Sequence, residues 1–199
     1  MSEFLKRWRS GRRRHSFEAL IEPHIEHLYR VAYRLTRNES GAEDLVQDVL
    51  IKLFRIQGQV ASLQQPRPWI ARVLYREYVD RWRRERHAPV NLSEVETADG
   101  AGTLADNEPD PQANPEQAAI EQQLGEQLTA ALERLSDDHR TVLLFHDVEG
   151  YTMDELCTVL SLPLGTVKSR IHRARARLRE TLRDMDETFS VTGTWYSAR

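Results

Sequence analysis

The chain has one cysteine, Cys157, among 199 residues, which excludes an internal disulfide and any zinc site built from several cysteines. His24 and His27 are neighbours at helical spacing, but no carboxylate or cysteine joins them at ligand spacing. Neither a metal nor a cofactor is expected. No apolar run approaches the roughly 18 residues needed to cross a bilayer, and the N-terminal stretch MSEFLKRWRSGRRRH lacks the apolar core of a signal peptide. A cytoplasmic protein without stable membrane insertion is therefore expected. Strand-like alternation is missing throughout, as are internal repeats. A large net charge is missing too: 28 Lys and Arg stand against 31 Asp and Glu, a formal net charge of −3.

That small total hides segregation along the chain. Residues 1–90 sum to +7, residues 91–140 to −10 and residues 141–199 to zero, and within the last block residues 166–183 alone reach +6. Two basic regions flank an acidic one, which points to a polyanionic partner for the basic parts.

The apolar residues recur at helical steps. Phe17, Leu20, Ile21, Leu28, Val31, Ala32 and Leu35 outline a first helix. Ser40 and Glu43 have the spacing of a capping box, ahead of a second helix carrying Leu45, Val46, Val49, Leu53 and Phe54. Residues 57–68 (QGQVASLQQPRP) read as a loop, with Pro68 in the first turn of a third helix from Trp69 to about Arg86. Between Ala88 and Pro115 the composition turns to proline, glycine and six acidic residues, a linker signature. Helices resume at Glu116. Ser136 can cap a short one that Gly150 ends, Thr152 and Glu155 form a second capping box, and a final helix runs from near Gly165 to about Met185. The expected fold class is all-α: two small helical domains joined by a flexible acidic linker, the C-terminal one a helix-turn-helix. The expected boundaries are a basic N-terminal tail (1–15), a first domain (16–87), the linker (88–115), a second domain (116–185) and a C-terminal tail (186–199).

The break SLPLG at 161–165, between two short amphipathic helices of which the second is rich in arginine, is a helix-turn-helix pattern. At about 100° per residue, Val167, Ile171, Ala174, Leu178 and Leu182 fall on one stripe. Lys168, His172, Arg175 and Arg179 form a second, and Arg170, Arg173 and Arg177 a third. Glu180 is the one acid among seven bases here, so the ion pairing of an ordinary solvated face is not expected. Thr166, Lys168, Ser169, Arg170, His172, Arg173 and Arg177 are the candidate duplex-DNA contacts, those near the helix start reading bases and the later ones holding phosphates.

Residues 151–182, YTMDELCTVLSLPLGTVKSRIHRARARLRETL, closely resemble region 4 of the extracytoplasmic function (ECF) group of bacterial sigma factors. FEALIEPHIEHLYRVAYRLTRNESGAEDLVQDVLIKLF (17–54) and PWIARVLYREYVDRWRR (68–84) resemble sigma region 2, and both halves stand in the family order across a linker.

The resemblance implies a sigma factor that binds core RNA polymerase through its clamp coiled coil and flap, engages promoter DNA and is controlled by an anti-sigma factor. The polymerase-binding residues would be Asp44, Gln47 and Asp48, which share a helix face. The third helix would open the minus-10 element, with Trp69, Arg72, Arg76, Arg83 and Arg84 facing DNA while Tyr75, Tyr78, Val79 and Trp82 pack as a core stripe. Many relatives carry Asn where this chain has Arg76, so their minus-10 preference does not transfer. The acidic linker would run toward the RNA exit path. A helix-turn-helix regulator that binds duplex promoter DNA without acting as a sigma subunit is the alternative. Two domains on such a linker could also fold back and mask their basic surfaces.

Overall fold

The computed structural model describes residues 16–87 and 115–191, so the basic N-terminal tail, nearly all of the acidic linker and the last eight residues lie outside the described residues. Every regular element among the described residues is a helix.

Helix α1 (Ser16–Thr36) buries Phe17, Ile21, Ile25, Leu28, Val31 and Ala32 at steps of three and four, a single apolar stripe. It ends at Arg37, which turns into the left-handed region (φ 60°). Asn38 follows at once as the N-cap of α2 (Glu39–Arg55), its side-chain oxygen accepting from the Gly41 backbone N–H. The Ser40 and Glu43 capping box is therefore not formed. The reversal at Arg37 starts the helix two residues earlier and leaves Ser40 inside its first turn.

α2 buries Ala42, Leu45, Val46, Val49, Leu50 and Leu53 against α1. The expected loop at 57–68 contains a short helix, α3 (Gln57–Ala61), pinned by buried Val60. Helix α4 (Pro66–His87) begins ahead of Trp69, with Pro68 in its first turn as expected. Its buried face is Ile70, Ala71, Leu74 and Glu77.

Helix α5 (Pro115–Glu133) leads to Ser136, which caps α6 (Asp137–Leu143) by accepting from the His139 N–H at 3.4 Å. A π turn (Leu144–Val148) continues it, closed by a bond from Glu149 N–H to the Leu144 carbonyl, and Gly150 then takes φ +70°. The capping box of Thr152 and Glu155 opens α7 (Met153–Leu160), and Ser161 ends it in the left-handed conformation. Helix α8 (Leu164–Val191) runs on past Met185.

By contact, these helices form two units. The first holds α1 to α4 together with the segment Tyr151–Pro163, whose α7 packs on α4. The second holds α5, α6, the π turn and α8, with Val167, Ile171 and Ala174 of α8 buried where it meets α5 and α6.

Candidate nucleic-acid interface

The three stripes read from the sequence of α8 separate by burial. Val167, Ile171 and Ala174 are buried and Leu178 and Leu182 half-buried, while Lys168, His172, Arg173, Arg175, Arg177 and Arg179 are exposed. Thr166 and Arg170 are half-buried and Ser169 is exposed. At the start of the helix, Ser169 Oγ donates to the Thr166 carbonyl at 3.0 Å and accepts from Arg173 Nη2 at 3.1 Å. This arrangement holds the Arg173 guanidinium close to the helix surface.

The expectation of unpaired arginines needs correction. Arg170 pairs with Asp138 of α6 at 3.1 Å, Arg175 with Asp147 of the π turn and Arg177 with Glu180 on its own helix. Asp138 and Asp147 lie far upstream in sequence, so no count of acids within α8 could reveal them. Hydrogen bonding to Asp147 raises the Arg175 pKa above its already high ordinary value. Among the described residues, no carboxylate pairs with Lys168, Arg173, Arg179 or Arg183. On these four side chains no carboxylate competes with a polyanion.

On α4, Trp69, Arg72, Arg76 and Arg83 follow one another at steps of three, four and seven and so share one face. Trp69 and Arg72 are half-buried, Arg76, Arg83 and Arg84 exposed. The Arg72 Nε is buried and has no hydrogen-bond partner among the described residues. Arg84 reaches back to Glu77 at 3.2 Å, and Lys52 of α2 pairs with the same carboxylate, which is how a glutamate only 4% exposed is tolerated in the helix's inner face. The aromatic stripe expected to be core is not: Tyr75, Tyr78 and Val79 are half-buried and Trp82 is exposed. Ile70, Ala71, Leu74 and Glu77 take the buried positions instead.

On α2, Asp44, Gln47 and Asp48 are exposed together, and Asp44 lies 3.5 Å from Arg81 of α4. Ile51 continues the same face one turn on and is 53% exposed. Phe54, one of the apolar residues that outline this helix in the sequence, is 55% exposed with its ring edge-on to Phe17.

Comparison with known proteins matches residues 20–88 to Sigma-70 region 2 and residues 125–178 to Sigma-70, region 4. The ECF RNA polymerase sigma factor SigE of Mycolicibacterium smegmatis is 34% identical over 172 residues, covering 84% of this chain and 62% of that protein. The ECF RNA polymerase sigma factor SigL of Mycobacterium tuberculosis is 33% identical over 171 residues, covering 85% of this chain and 90% of that protein. The chain belongs to the ECF RNA polymerase sigma factors.

The sigma factor RpoE of Bartonella quintana, solved with the anti-sigma factor NepR, has the same fold, with a TM-score of 0.60 at 23% identity over 84% of this chain and 96% of that one. In this sigma factor the duplex-DNA candidates of α8 and the minus-10 candidates of α4 each occupy one helix. Ile51 and Glu77 escaped the sequence reading, as did the pairing of Arg81 with Asp44. The signal for Ile51 was its position seven residues after Asp44. The partners Asp44 of Arg81 and Lys52 of Glu77 gave no local signal, because they sit on another helix.

Proposed function

We propose that this ECF sigma factor binds core RNA polymerase and directs it to particular promoters, with no catalysis of its own. Helix α8 reads the minus-35 element as duplex through Thr166, Lys168, Ser169, Arg170, His172, Arg173 and Arg177. Region 2 opens the minus-10 element through Trp69, Arg72, Arg76, Arg83 and Arg84. Asp44, Gln47 and Asp48 accept hydrogen bonds from basic groups of the polymerase clamp.

One observation carries this reading: a single chain presents two arginine-rich helices of different chemistry. A helix with cations on two sides of an apolar stripe suits duplex phosphates and base edges. A helix with a tryptophan among arginines suits unstacked bases, which stack on the ring while guanidinium groups follow the phosphates. The orphaned Arg72 Nε is a donor that an incoming acceptor would satisfy.

An anti-sigma factor that covers these faces is the expected regulator. In support, a solved sigma factor of this fold, RpoE of Bartonella quintana, is bound to the anti-sigma factor NepR. Among the described residues no helix is long and apolar enough to cross a membrane, and the site of action is the cytoplasm, where polymerase works.

Run-off transcription on genomic fragments tests the proposal. A promoter-specific product that requires both core polymerase and this protein is the expected result. Duplex binding with no transcript on any fragment would overturn it in favour of a helix-turn-helix regulator.

A further inference from the structure

Glu77 shares the inner face of α4 with Ile70 and Leu74 and is buried with them. Two cations reach its carboxylate. Lys52 of α2 donates to Oε2, and Arg84, seven residues further along α4, donates from Nη2 to Oε1 at 3.2 Å. All three residues belong to one compact unit. Because each cation holds its own oxygen, neither bond depends on the other.

The two cations differ in their surroundings. The Arg84 side chain is 69% exposed, and besides Glu77 it donates from Nε to the Asp80 carbonyl at 3.3 Å. Its guanidinium therefore lies back along α4 but open to solvent. Arg84 is also one of the residues assigned to the opened minus-10 strand, whereas Lys52 has no such assignment.

Counting charges decides what Arg84 is able to do. A buried carboxylate stripped of every cation is costly, because nothing then offsets its desolvation. One that loses a single cation of two stays paired. One carboxylate and two cations leave one positive charge in excess, and a phosphate at Arg84 balances it: Lys52 neutralises Glu77 while Arg84 neutralises the phosphate. With Lys52 removed, Glu77 and the phosphate compete for a single guanidinium. The buried carboxylate wins that competition, since an ion pair made in open solvent is worth little.

We propose that Lys52 is a positioning residue for DNA binding: by holding Glu77, it leaves Arg84 free to swing from α4 onto a phosphate of the opened strand. Lys52 acts without touching DNA. This inference rests on the sigma reading above.

The test measures binding of the holoenzyme, this protein with core polymerase, to forked promoter DNA whose minus-10 non-template strand is left unpaired, by fluorescence anisotropy across a salt series. Arg84→Ala should lower the slope of log affinity against log salt by about 0.7, the value for one phosphate on a single strand, so that a fourfold rise in salt weakens binding about 2.5-fold less than in wild type. Lys52→Met should lower the slope by the same amount. Combined with Arg84→Ala it should lower it no further, and combined with Glu77→Gln, which removes the buried charge, it should return to the wild-type slope. A wild-type slope in Lys52→Met, slopes that add in the double variant, or no return with Glu77→Gln would overturn the proposal; the last two are what a lysine bound directly to phosphate would give. Should Lys52→Met fail to fold by circular dichroism, Lys52→Gln removes the same charge.

Urea denaturation of the free protein reads the shared carboxylate without polymerase. Lys52→Met and Arg84→Ala together should lower the midpoint by more than the sum of the two single shifts, and by the plain sum when Glu77→Gln is present. Additive midpoints with Glu77 intact would overturn the proposal. Coupled midpoints with no binding of the forked DNA by wild-type holoenzyme would overturn the sigma reading, whereas wild-type binding with no return in Lys52→Met and Glu77→Gln combined would overturn the role of Lys52 alone.

Discussion

Arg175 grips Asp147 through two guanidinium nitrogens, with Nε 3.1 Å from one carboxylate oxygen and Nη2 against the other. The pair ties the middle of α8 to the π turn and withholds one cation from solution. Both side chains are solvent-accessible, so the bond contributes under about 1 kcal/mol to stability. Asp147→Asn should therefore leave the melting temperature nearly unchanged while releasing a cation on the helix proposed to bind duplex DNA. Binding to non-specific duplex should tighten, and the slope of log affinity against log salt should steepen by about 1, as read by fluorescence anisotropy across a salt series.

Arg173 and Arg179 should behave differently from one another. Arg173 sits near the start of α8, fixed by Ser169, where side chains reach base edges. Arg173→Ala should cost roughly 1 to 3 kcal/mol on the preferred minus-35 sequence and flatten the preference at one base pair. Arg179→Ala should weaken all duplexes about equally and lower the salt slope by about 1. Competition binding with single-base variants of a selected promoter distinguishes the two patterns.

Gly41 and Asn38 form a coupled pair. A Cβ on Gly41 would stand 2.7 Å from the Asn38 side-chain oxygen that caps α2. Gly to Ala inside a helix ordinarily gains up to about 1 kcal/mol, and loss of an asparagine cap costs about the same. Gly41→Ala alone should therefore be close to neutral. Asn38→Ala should destabilise by about 1 kcal/mol, and adding Gly41→Ala to it should recover most of that loss, measured by urea denaturation.

Acid should loosen the first unit through His24. Burial, then the neighbouring His27 and Arg67, hold its pKa below the ordinary 6.5. The unfolded chain consequently takes up the proton first, so stability is fully present above about pH 6.5 and falls as pH drops from there toward the lowered folded value. Thermal melts at about pH 7.5 and about pH 5.5 should show a loss at the lower pH that is smaller in His24→Gln.

What was legible in the sequence was local. The stripes of α8 and the capping box of Thr152 depend on spacings of three and four residues, and both are formed as read. The Asn38 cap was missed because Ser40 and Glu43 match the usual motif better, and only the backbone reversal at Arg37 decides between them. The aromatics of α4 were placed in the core because their spacing is that of a buried stripe. Spacing fixes which residues share a face, not which face turns inward, and Lys52 reaching Glu77 accompanies the other choice. The carboxylate partners of α8 and the bond between His27 and Tyr151 join residues 28 to 124 positions apart, separations at which no periodicity operates.

The edge-on contact between Phe17 and Phe54 has a practical consequence for handling the protein. It fixes the start of α1 beside the far end of the α2 face that carries Asp44, Gln47, Asp48 and Ile51. An affinity tag or fluorescent fusion joined just ahead of Ser16 would emerge next to the surface assigned to the polymerase clamp, and would crowd that partner before it touched any promoter.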